Sequence, residues 1–157
     1  PILAYPDTYL YYYRAQAWGA LGNRSKAKQD FDKFQQKAPT SPLAWATRGF
    51  LKWKTNPNEA LQDFDHASAL DGNHLVALQN KANVLSEKLG RTKDSIAVLD
   101  QIVEAHPKRH QALSSRAVLK ARLGDRKGSL EDVQKCLILN KDPLILYQLA
   151  EIGRAHV

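Results

Sequence analysis

The 157-residue chain has a single cysteine, no methionine and no apolar run near the roughly 20 residues needed to span a bilayer. Cys136 alone cannot close an internal disulfide, so no disulfide framework holds the fold. No basic stretch followed by an apolar run opens the chain, and Pro1 is not an initiator; residues 1–7 read as the truncated lead-in of something longer. A cytoplasmic setting fits these absences. His66, His74, His106 and His110 fall in no H-x-x-x-H or paired Cys/His spacing, and Pro107 breaks any helix face common to His106 and His110. No metal site is therefore expected. The phosphate-cradling P-loop, the dinucleotide fingerprint and G-x-S-x-G are all missing, so neither a catalytic residue nor a cofactor is expected.

Charge is unbalanced. The 23 Lys and Arg against 16 Asp and Glu give a formal +7, which raises the reading of an RNA or acidic-surface binder. The cations are scattered, however: Arg24, Lys26, Lys28, Lys33 and Lys37, then Lys108-Arg109 and Arg126-Lys127. The densest group, Lys108-Arg109-His110, is small for a nucleic-acid footprint. The C-terminal residues 151–157 read as non-native. Ile152 to Val157 translate the sequencing adapter ATC GGA AGA GCA CAC GTC in frame, and the preceding AG completes the Glu151 codon. Removing Glu151 and Arg154 leaves the balance at +7.

What the chain does hold is an echo. RAQAWGALGNRSKAKQDF (14–31) and RAVLKARLGDRKGSLEDV (116–133) match almost place for place. Alignment on the Leu-Gly turn and the closing residue gives four units, 8–41, 42–74, 75–109 and 110–142, and the start of a fifth at 143–150. At the fourth place stand Tyr11, Trp45, Leu78 and Leu113; at the eighth, the small residues Ala15, Gly49, Ala82 and Ala117. A second stretch in each unit opens on Ala27, Ala60, Ser95 or Ser129, and four residues later comes Phe31, Phe64, Leu99 or Val133. Three further on stand Phe34, Ala67, Ile102 and Cys136, a place expected to be buried, which favours packing of the thiol over nucleophilic work. Pro39, Gly72, Pro107 and Lys141 close the units.

Each unit holds two amphipathic stretches with the i, i+3, i+4, i+7 spacing of helices. Gly22, Gly90 and Gly124 fall between paired helices, where a left-handed residue ends a helix at little cost; Asn56-Pro57 serves in the second unit. With its period of about 34 residues, the chain resembles the tetratricopeptide repeat family over residues 8 to about 150. The resemblance implies an all-α fold, a right-handed α-solenoid of antiparallel helix pairs.

At the seventh place, commonly leucine in the family, stand Arg14, Arg48, Lys81 and Arg116. Three of these units also carry an aspartate on the second helix: Asp30, Asp63 and Asp132. Structural ion pairs Arg14–Asp30, Arg48–Asp63 and Arg116–Asp132 are expected, since the guanidinium fork suits a carboxylate. Unit three departs, with Lys81 facing Val98.

The family's members usually bind partners along a concave surface lined by the first helix of each unit. Carried over by position, that lining is Tyr9, Tyr12, Tyr13 and Gln16; Leu43, Thr47, Phe50, Trp53 and Lys54; Gln79, Asn80, Asn83, Ser86 and Glu87; then Gln111, Ser114, Ser115, Val118 and Arg122. The alternative for the three tyrosines is packing against missing upstream repeats. Lysine and arginine of the type that grip a chaperone's C-terminal carboxylate are lacking in the middle units. The expected function is a non-enzymatic interaction scaffold binding a peptide or protein surface, with more repeats or domains of the same chain missing at both ends. The alternative is a repeat tail that regulates or targets a larger enzyme: ALQNKANVLSEKLGRTKDSIAVLD and LYQLA are similar to repeats trailing serine/threonine kinases in multidomain bacterial proteins.

Overall fold

The structure is a computed structural model that describes residues 8–139. The expectations for 1–7, for a fifth repeat at 143–150 and for the tail at 151–157 lie outside the described residues. Among the described residues there are eight helices and no strand: α1 (Thr8–Ala20), α2 (Arg24–Gln36), α3 (Pro42–Lys52), α4 (Pro57–Leu70), α5 (Leu75–Glu87), α6 (Thr92–Ala105), α7 (His110–Arg122) and α8 (Arg126–Leu139). The architecture is all-α, a series of two-helix hairpins.

Local chemistry sets the boundaries. Asn23 and Ser41 accept from the backbone N–H of Lys26 and Ala44 at 3.1 and 3.2 Å, closing the first turns of α2 and α3. Asp125 does the same for α8 through Gly128 N at 2.9 Å. Pro42 and Pro57 sit in first helical turns, where no N–H is needed. Gly22, Gly90 and Gly124 take φ of +75°, +64° and +81°, the left-handed exits that let three of the four hairpins turn tightly. The α3–α4 hairpin instead turns through Trp53–Thr55, and Asn56 caps α4 by accepting from Glu59 N.

The chain forms two compact units, Pro1–Asn80 and Lys81–Val157. In the first, Phe34, Ala60, Phe64 and Ala67 are wholly buried. Gly49 lies so close to α4 that an added Cβ would stand 2.8 Å from Phe64 Cε1 and 3.0 Å from the Ala60 carbonyl. That closeness is why the eighth place of the repeat takes a small residue. In the second unit, Leu85, Leu99, Ile102, Leu113, Ala117 and Cys136 form the buried set. There the approach of helix to helix is fixed by a hydrogen bond: the buried Ser95 hydroxyl donates to the Ala82 carbonyl at 2.8 Å.

Candidate ligand-binding surface

The arginines of the seventh place go to structure. Arg14 Nε and Nη2 donate to the two Asp30 oxygens at 2.6 and 2.7 Å. Arg48 spans Asp63 the same way at 3.0 and 2.7 Å, and Arg116 spans Asp132 at 2.8 and 2.6 Å. All three carboxylates are buried. The Arg14 hydrogen bonds hold the Asp30 carboxyl below the usual range, and Asp30 in turn raises Arg14. Burial alone would raise the Asp132 carboxyl, but hydrogen bonds from Arg116 and Lys120 outweigh it and lower it.

The sites carry more than the pairwise pattern suggested. Lys52 and Lys120, four residues after their arginines, bring a second cation to Asp63 and Asp132 at 3.4 and 3.0 Å. Arg116 Nη1 also reaches Asp100 of the preceding helix at 2.7 Å. The aromatic residue at the fourth place lies under the arginine at the seventh, Trp45 under Arg48 at 4.4 Å and Tyr11 under Arg14 at 5.5 Å. The i, i+4 spacing of Arg and Lys and the i, i+3 spacing of ring and Arg are sequence signals that could have found these contacts.

With those side chains committed, the open surface differs between the units. In the first, α1, α3 and α5 line a concavity of about 350 Å³. Tyr12, Tyr13, Gln16, Leu43, Thr47, Phe50 and Asn80 of the sequence-derived lining meet there, together with Ala46 and Val76. Tyr12 and Tyr13 meet edge to face at 5.4 Å, and Gln16 donates from Nε2 to the Tyr12 hydroxyl. In the second unit a smaller concavity of about 170 Å³ gathers Asn83, Ser86, Glu87, Ser115, Val118 and Arg122 of the same lining. The Ser86 hydroxyl is spent on the Ala82 carbonyl at 3.0 Å.

Five of the expected lining residues, Trp53, Lys54, Gln79, Gln111 and Ser114, stand outside these concavities. Trp53 stacks on Phe50, with ring centroids 6.3 Å apart. Gln79 is turned inward, its Oε1 buried. The Tyr9 side chain lies outside the described residues. Cys136 is buried, its Sγ donating to the His110 carbonyl at 3.1 Å, and burial pushes the thiol up. Among the described residues no group of His, Cys, Asp or Glu could hold a metal, and no helix is long and apolar enough to cross a membrane.

The fold is that of the tetratricopeptide-repeat proteins. Residues 9–41 match the family's sequence description, "Tetratricopeptide repeat". No curated protein matches the chain. Among solved structures, YrrB, described as a tetratricopeptide-repeat protein with an unusual peptide-binding site, has a TM-score of 0.72 at 19% identity, over 92% of this chain and 74% of its own. TTC0263, a thermophilic tetratricopeptide-repeat protein of Thermus thermophilus, gives 0.67 at 19%, over 94% of this chain and 82% of its own. The first repeat domain of Spaghetti (RPAP3), solved with the HSP90 peptide SRMEEVD, gives 0.66 at 18%, over 73% of this chain and 92% of its own.

Proposed function

We propose that the chain is a non-catalytic protein-interaction scaffold that binds a peptide or protein surface through its concavities. The observation that carries this reading is the aromatic concavity of the first unit: Tyr13 and Phe50 are half-exposed, each against a neighbouring ring. Large apolar side chains left open on a rigid frame are the usual anchors of recognition. The peptide-binding site described for YrrB and the peptide bound to RPAP3, both on the same fold, support it. The cytoplasmic setting, the four repeat boundaries and further repeats of the same chain beyond both ends belong to the same proposal.

The test is a displayed random-peptide library panned on the full chain. Enriched peptides should lose at least about tenfold in affinity with Phe50→Ala or Asn83→Ala, while Lys93→Ala on the exposed face of α6 leaves binding unchanged. Failure to enrich any peptide, or enrichment that neither groove substitution affects, overturns the reading.

A further inference from the structure

We infer, resting on that reading, that the first unit's concavity takes a bulky uncharged side chain from within a protein segment, and not an acidic chain end. Charge decides the matter. No Asp, Glu, Lys, Arg or His lines the concavity; its walls are aromatic and aliphatic, and its polar groups besides the tyrosine hydroxyls are Gln16, Thr47 and Asn80.

The arginines and Lys52 that flank the lining are already engaged, while Lys28, exposed on α2, borders a neighbouring concavity that shares Tyr12 and Gln16. Arg14 and Arg48 are bonded to Asp30 and Asp63, and Lys52 lies against Glu59 and Asp63 at 3.0 and 3.4 Å. Lys54 sits over Trp53 at 6.0 Å. A carboxylate entering here would shed its water and find no countercharge in the lining itself, a large cost. An apolar side chain entering the same space loses only water that contacts Tyr13, Phe50 and Val76, each about half exposed at 51%, 50% and 51%.

The polar groups fit a backbone rather than a charge. The Thr47 hydroxyl is spent on the Leu43 carbonyl at 2.8 Å, and Gln16 Nε2 on Tyr12. That leaves the Gln16 carbonyl oxygen to accept and the Asn80 amide to donate and accept. Those are the two complements of an extended peptide bond, one carried on α1 and the other on α5. The volume, about 350 Å³, is that of a small ligand pocket and holds one large side chain with the backbone that bears it. The occupant is therefore a segment with Leu, Phe or Trp at its centre and uncharged neighbours.

The library of the preceding section distinguishes the outcomes. Enriched sequences should centre on a bulky apolar residue, and amidation of their C-terminus should leave affinity within about twofold. Raising salt from about 0.05 to about 0.5 M should also leave it within about twofold, since no ion pair is screened. Phe50→Ala and Val76→Asp should each weaken binding by at least about tenfold, and Phe50→Leu by no more than about threefold. Asn80→Ala should weaken it while leaving the far-UV circular dichroism unchanged. Enrichment of acidic peptides, dependence on a free carboxylate, or steep loss with salt overturns this inference while the scaffold reading stands. No enrichment at all sinks the scaffold reading itself.

Discussion

Substitution of Asp132 by alanine should be among the most damaging single changes in the second unit. Its carboxylate is 1% exposed and takes Arg116 at 2.8 and 2.6 Å and Lys120 at 3.0 Å. Arg116 itself is only 10% exposed, and its other carboxylate partner, Asp100, is 55% exposed. Removing Asp132 leaves a guanidinium dry on the side facing α8. Uncovering one member of such a pair costs about 3–5 kcal/mol. With urea slopes of about 1–3 kcal/mol per M, the unfolding midpoint followed by far-UV circular dichroism should fall by more than about 1 M. The Arg14–Asp30 pair has the same bidentate geometry, but Arg14 is 56% exposed. Water can take its place, so Arg14→Ala should cost about 1 kcal/mol. Replacing both partners, Arg116→Met with Asp132→Leu, should recover part of the loss, because the buried guanidinium is gone and only Lys120, 19% exposed, loses its carboxylate. Equal costs for Asp132→Ala and Arg14→Ala, or a double variant less stable than either single one, would refute the reasoning.

The same carboxylates set the acid limit. Asp30 and Asp132 are lowered in the folded chain, so their contribution is complete above the unfolded carboxylate value of about 4 and is lost as pH falls through the lowered values. Urea midpoints should drop below about pH 4, and Asp132→Ala should drop less steeply over that range. Gly49→Ala should destabilise by about 1–3 kcal/mol despite alanine's better helix propensity, because the added methyl meets Phe64 and the Ala60 carbonyl at 2.8 and 3.0 Å; a thermal midpoint at or above that of the parent would contradict it. Cys136, buried and with its thiol pushed up, should react with a maleimide only as fast as the second unit opens. Stopped-flow labelling that matches a free thiol would contradict that.

The sequence by itself determined the hairpins. Helical periodicity, the small residue at the eighth place and the glycine between helices act over neighbouring turns, so residues 14–31 and 116–133 could repeat one layout and form the same element twice. The same locality placed Arg14, Arg48 and Arg116 opposite their aspartates, because each hairpin closes through a short loop. Tertiary structure alone decided the rest. Asp100 reaches Arg116 from the preceding hairpin. Trp53, of the same chemical class as its neighbours, turns onto Phe50, whereas Gln79 turns inward and leaves the lining to Asn80. Periodicity assigns a residue to a face within about a hundred degrees; which side of that face it serves depends on rotamers and on the neighbouring helix, and those are fixed only when the hairpins pack.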